Sequence, residues 1–277
     1  MQEGTVHAGS LQPYLSAINS FHADLGLDRP AMGHIVHLAR KGYGELEGTL
    51  EPDQAARRPL PASVVWAFLR LGMSCSDMHI LRMTACLVLQ FCFFARSDTG
   101  ARALESDISV DSSGLHWRER TKTLPRIEPA TLTIPSTASS AAPVLQLFSR
   151  YREALGCRPA DTPLWMLPSD RQPPRATSID AWLQETLGLV HLSPPPGVKW
   201  SSHSLRSGGA TAALSIGVDL ASIARWGLWK SLGSLQVYVD PLVAASPEAD
   251  AFFGHLLKIT TRPQAPQLLA ATLEDAT

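Results

Sequence analysis

The chain has 277 residues, of which 45% are hydrophobic and 18% charged; that is enough apolar material for one large core or two small ones, and it excludes disorder over the bulk of the sequence. Formal net charge is −1, so composition alone does not single out a nucleic-acid partner. By region the balance shifts: residues 1–56 hold three basic and seven acidic side chains, and residues 57–262 hold 21 basic and 16 acidic ones, which allows a positive face on the central segment.

Taken in chain order, the start lacks a basic end followed by an apolar core and does not read as a secretory signal. Leu11, Tyr14, Leu15, Ile18, Phe21 and Leu25 recur at helical spacing, closed by Gly26 and then Pro30. A second short helix is expected over 31–40, and residues 43–61, with three prolines and little periodicity, read as a linker. Helices are expected over 62–72 and 76–95. The apolar stretch 85–95, at 11 residues, is too short to span a bilayer and fits a buried helix. Residues 107–110 and 115–120 flank Asp111-Ser-Ser-Gly114, a turn signal, so a hairpin is expected there, with 130–134 as its third strand. Helices follow at about 142–155, 178–189, 204–216, 219–228, 233–242 and 248–259. Runs of helix around one small sheet predict an α+β, mainly α, fold.

The four cysteines contain no CxxC pair. Cys86 and Cys92 lie in the apolar stretch, where a free thiol behaves as a small hydrophobe. The expectation is a reducing, intracellular compartment, nuclear if the source is eukaryotic. His34-x-x-His37 has the spacing of a metal pair but no evident third ligand, and no phosphate-binding glycine loop or hydrolase elbow occurs.

The chemistry concentrates in 199–240. His203-Ser-Leu-Arg206 is followed by Trp229 and, nine residues later, by Tyr238. A tyrosine, a histidine and arginines converging on one point suit phosphoryl transfer: a phenol as nucleophile, guanidinium forks on the oxygens of a phosphodiester. Taken singly, each residue has a plainer reading. Arg96 fits a helix end, Lys122 an exposed turn, and Trp229 and Tyr238 an ordinary core.

On these residues the sequence resembles the tyrosine recombinase (phage integrase) family. His203-x-x-Arg206, Trp229 and Tyr238 match its His-x-x-Arg, His/Trp and Tyr; Arg96 fits its first arginine, with Asp107 as the usual aspartate eleven residues on. Lys122, in Arg120-Thr-Lys122-Thr, fits the lysine of the turn between the second and third strands of its sheet. Within the family the chain is most similar to recombinases of DIRS-type retroelements, through SHSLRSGGATAA, Tyr238-Val-Asp-Pro241 and Phe252-Phe253-Gly254.

The resemblance implies a site-specific DNA strand transferase working through a 3′-phosphotyrosyl link, without ATP, metal or other cofactor. Its partner would be double-stranded DNA, held by a homo-tetramer on paired sites, with neither a membrane nor a small-molecule substrate. Its catalytic residues would be Arg96, Lys122, His203, Arg206, Trp229 and Tyr238. It further implies a partial helical DNA-clamping segment with linker over 1–56, from a truncated chain or one whose start is set late. The catalytic domain would follow over 57–260 and a tail over 261–277. The helix around 251–259 would either pass to a neighbouring subunit or pack in its own chain.

One departure stands out. Where the family carries an acid three positions after its first arginine, this chain has Thr99, with Asp98 one residue early. The competing expectation is accordingly a catalytically degenerate relic that binds DNA or partners without cutting.

Overall fold

A computed structural model describes residues 11–28, 30, 36, 39, 56–119, 130–137 and 141–260. The chain divides into two compact units, Met1–Ala56 and Arg57–Thr277. In the first, α1 (Leu11–Asp24) forms as its periodicity predicts. Gly26, at φ 70°, ends it: its N–H donates to the Ala23 carbonyl at 3.0 Å and that of Leu27 to His22 at 2.8 Å. The helix expected over 31–40 and the pair His34 and His37 lie, but for isolated positions, outside the described residues.

The second unit is built around α3 (Met78–Cys92), packed on α2 (Ala62–Ser74) and on later helices. Asp77 caps α3 by accepting from the Ile80 N–H at 3.0 Å, and every residue from Leu81 to Cys92 is buried. Burial pushes both thiols of this helix up, that of Cys86 to about 12, so they serve as apolar filler.

The helix stops three residues before the end of its apolar run. Phe94 turns to φ 48°, and the Ala95 N–H closes on the Gln90 carbonyl at 2.9 Å. A bulky side chain in that region is strained and persists only where its surroundings hold it. Here the Phe253 ring lies 5.3 Å from that of Phe94 and Trp229 6.0 Å away.

After α4 (Ser97–Ala101) and a 3-10 turn (Glu105–Asp107) comes the antiparallel sheet β1 (Ile108–Asp111), β2 (Gly114–Glu119), β3 (Ala130–Pro135), in that order. Asp111 pairs with Gly114 across the hairpin, and Glu119 with Ala130. The predicted three-stranded sheet is therefore present. Its turn is stapled by Asp111, whose carboxylate accepts from the Ser113 N–H at 2.7 Å and meets His116 Nε2 at 3.1 Å. Ser113 Oγ contacts that same nitrogen at 2.9 Å, which is not the two-nitrogen relay of a hydrolytic triad. Along β2 the side chains of Leu115, Trp117 and Glu119 alternate inward and are buried. Trp117 meets Phe93 edge to face at 5.2 Å, fixing the sheet to the end of α3.

The remaining helices are α5 (Ala142–Leu155), α6 (Ala176–Leu189), α7 (Ser202–Ser215), α8 (Leu220–Trp226), α9 (Leu232–Gln236) and α10 (Pro247–Thr260). The helix expected over 233–242 is five residues long instead, because Pro241 disfavours helical backbone before it and the Tyr238 N–H closes a tight turn on Leu235 at 2.8 Å. In this single chain the last helix packs against its own core. Phe252 and Phe253 of α10 are buried, with rings 5.3 and 5.4 Å from Phe91.

The two glycines after Arg206 explain how α7 closes on this core. A Cβ at Gly208 would lie 2.2 Å from the Leu60 carbonyl oxygen, and one at Gly209 2.3 Å from that of Phe91. Gly209→Ala is expected to destabilise the protein by about 1–3 kcal/mol, the usual range for overpacking a filled core. A fall of several degrees in Tm on thermal unfolding checks it.

Candidate active site

Arg206 lies in the second turn of α7 and is 1% exposed. Its guanidinium donates through Nη1 to the Phe94 carbonyl and through Nη2 to the Gly227 carbonyl at 2.8 Å. Both carbonyls sit where a helix has just ended, α3 in one case and α8 in the other. A cation meets the negative end of a helix dipole at each. Both turns are tight, with Phe94 at φ 48° and Leu228, which follows Gly227, at φ 51°.

Trp229 covers the guanidinium, whose central carbon lies 3.7 Å from the indole centroid and 5.7 Å from the Tyr238 ring. The rings of Trp229 and Tyr238 meet edge to face at 5.6 Å. Gly227 permits this stack, since a Cβ there would fall 1.7 Å from the indole. The indole Nε1–H is buried and has no hydrogen-bond partner among the described residues. It is one donor, able to serve a bound oxygen and unable to do acid–base work.

Tyr238 is half-buried, two residues past the end of α9. Thr211 of α7 holds its turn from both sides, accepting from the Asp240 N–H at 3.0 Å and donating to the Tyr238 carbonyl at 3.4 Å. Tyr238 lines an open cavity of about 600 Å³ with Arg58, His203, Ser204, Ser207 and Asp240. His203, in the first turn of α7, is exposed to it. Arg58 lies 3.7 Å from the Asp240 carboxylate.

Arg96 is exposed and occupies the cap position of α4. Its charge reaches Arg206, whose guanidinium is pushed down to about 10, first by burial and then by Arg96, with Glu119 acting in the opposite direction. Asp98 pairs with Arg102 at 3.0 Å. Asp107 accepts from the Leu104 N–H at 2.9 Å and so ties the 3-10 turn. Lys122 lies outside the described residues. The structure thus brings Arg206, Trp229 and Tyr238 into contact, opens His203 and Tyr238 onto one cavity, and couples Arg96 to Arg206 through charge.

No protein-family model matches this sequence, and no curated protein matches it. Solved structures do match. The XerA recombinase superposes with a TM-score of 0.52 at 14% identity, covering 94% of this chain and 85% of that one. The XerH site-specific recombinase bound to palindromic difH substrate, a post-cleavage complex, gives 0.52 at 14% identity over 65% of this chain. The chain spans 49% of the length of that XerH chain. The fold is that of the tyrosine recombinase catalytic domain. In this chain the recombinase fold sets the sheet and the ends of α3 and α8 around one buried arginine.

Reasoning from sequence missed Glu119. It is 1% exposed at the end of β2, and neither carboxylate oxygen has a hydrogen-bond partner among the described residues. Burial pushes it up to about 7, with Arg206 and then Arg96 acting in the opposite direction. The readable signal was an acid in the third inward position of a strand whose other inward residues are Leu115 and Trp117.

A raised folded-state value means that the folded protein holds this proton more tightly than the unfolded chain. The stabilisation is complete below the ordinary carboxylate range near 4.5 and is lost as pH rises through about 7. His255 works the other way, since burial pushes it down to about 4 and folding then gains as pH rises from there towards 6.5. Comparing wild type with Glu119→Gln, which both keep His255, isolates the carboxyl. Between pH 5 and 7.5 the stability of wild type relative to the variant is expected to fall, as followed by urea midpoints at each pH.

Proposed function

We propose that the chain is a site-specific DNA recombinase, or integrase, that cleaves and rejoins strands through a 3′-phosphotyrosyl link on Tyr238. The observation that carries this reading is the stack of Arg206, Trp229 and Tyr238 within 6 Å of one another, at the edge of a cavity that His203 also lines. It places a nucleophile, a desolvated guanidinium and an unused indole donor together on a fold shared with recombinases that bind DNA sites.

In the reaction, the Tyr238 phenol attacks the phosphorus of a DNA phosphodiester in line and displaces the 5′-oxygen. The bond energy is retained in the covalent link, so a second 5′-hydroxyl can reverse the step and join new strands. Arg206 and Arg96 hold the non-bridging oxygens and stabilise the charge that develops on them. Trp229 donates its indole N–H to one of these oxygens. His203 assists proton transfer at the phenol, and Lys122 protonates the leaving oxygen.

Residues 57–260 are the catalytic domain of this reading, and 1–56 contribute to gripping the duplex. Assembly on paired DNA sites would be tetrameric. DIRS-type retroelement ancestry is carried by SHSLRSGGATAA and the Tyr238-Val-Asp-Pro241 run.

The test needs no knowledge of the target site. Supercoiled plasmid is incubated with wild type or with Tyr238→Phe, without added metal or ATP. Relaxation and a denaturant-resistant protein–DNA adduct are expected with wild type only, while both proteins bind the plasmid with the same steep dependence on salt. Binding by wild type with neither relaxation nor adduct would move the assignment to a relic that holds DNA without cutting it.

A further inference from the structure

Two buried polar groups beside this site lack partners among the described residues, and they are complementary. One is the Nε–H of Arg206, a donor; the other is the carboxyl of Glu119, able to accept and without a partner at either oxygen. Buried polar atoms are nearly always hydrogen-bonded, so each exception calls for a cause. An unpaired carboxylate on the inward row of a strand is also unfavourable for folding, and a leucine in that row would avoid the penalty. Retaining an acid there suits a group whose partner arrives during function.

The donor inventory of Arg206 points the same way. A guanidinium has five N–H groups. Two serve the carbonyls of Phe94 and Gly227, which leaves three. A phosphodiester approaching from the cavity can take at most two of these through a fork, and the third, on Nε, then needs an acceptor inside the protein. The end of α3 brings the two groups to one place: Trp117, on the same inward row of β2 as Glu119, meets Phe93 at 5.2 Å, and the next residue, Phe94, gives its carbonyl to Arg206. Glu119 accordingly feels the charges of Arg206 and Arg96. In resting enzymes such bonds are commonly open and close when the reactant binds.

We propose that Glu119 is a positioning residue that accepts from the Nε–H of Arg206 once a phosphodiester engages the guanidinium, fixing the plane of the fork. The idea rests on the strand-transfer reading above. It assigns Glu119 no contact with DNA, because its side chain faces the core and not the cavity. Neutralising it should therefore leave binding intact and slow cleavage.

Wild type and Glu119→Gln, each as the whole 277-residue chain, are compared for plasmid binding, for the rate of covalent adduct formation and for the thermal melt. The expected result is unchanged or tighter binding with adduct formation about 10- to 100-fold slower, the scale of a misplaced reacting group. Adduct formation at the wild-type rate would overturn the proposal. If Glu119→Gln does not melt cooperatively, Glu119→Asp decides: shortening by one methylene should also slow the adduct, and a wild-type rate would count against positioning.

A second readout separates this proposal from the reading beneath it. Titration with inorganic phosphate should shift the Arg206 Nε–H signal in the NMR spectrum of wild type and not in that of Glu119→Gln. An equal shift in both would sink the proposal even where cleavage is seen. If wild type forms no adduct, the strand-transfer reading fails on its own, and the phosphate titration still decides what Glu119 does.

Discussion

The structure turns on one buried cation shared between two helix ends. Arg206 reaches from α7 to the carbonyls that close α3 and α8, at Phe94 and Gly227, and Trp229 covers its face. Removing a guanidinium from water is unfavourable, and here the compensation is spread over two helix dipoles, two carbonyls and an aromatic ring. Trp229 and Tyr238 are placed by this arrangement. The tight turn at 227–228 aims Trp229 back at the arginine, and Trp229 in turn seats Tyr238. The glycines at 208 and 209 let α7 come close enough to the Leu60 and Phe91 backbone for Arg206 to span the gap.

Much of the architecture was legible because it depends on periodicity. The inward alternation of Leu115 and Trp117, the turn at 111–114 and the helical spacing of α5 and α6 state their faces directly, and the unbroken apolar run of α3 marks it as central. The misreadings fall where tertiary contacts override pattern. Tyr238 read as helical, yet Pro241 and the Thr211 hydroxyl make it a turn. The short α4 and the 3-10 turn are too brief to show a period. Of the candidate site, His203, Arg206, Trp229 and Tyr238 could be picked out by spacing. Glu119 could not, because its meaning comes from a fold that sets it near Arg206 from 87 residues away in sequence.

Net charge was a poor guide for a related reason. A chain with formal charge −1 places its most consequential charges inside, where their number is small and their surroundings magnify each one. Arg206 is held below its ordinary value and Glu119 above its own, both first by burial. Paired opposing shifts of this kind are common where charge must be rearranged during a reaction.

The ring of Phe253 against that of Phe94 gives α10 an importance that its distance in sequence hides. Phe94 keeps its left-handed backbone with Phe253 on one side and Trp229 on the other, and its carbonyl is one of the two that hold Arg206. The final described helix thus acts as a rear wall to a site that contains none of its residues. During synthesis, all of Arg96, Arg206, Trp229 and Tyr238 leave the ribosome before α10 does. A nascent chain therefore carries its reactive tyrosine while the wall behind Phe94 is still missing, and the arginine gains its full support only when residues 247–260 have folded onto α3.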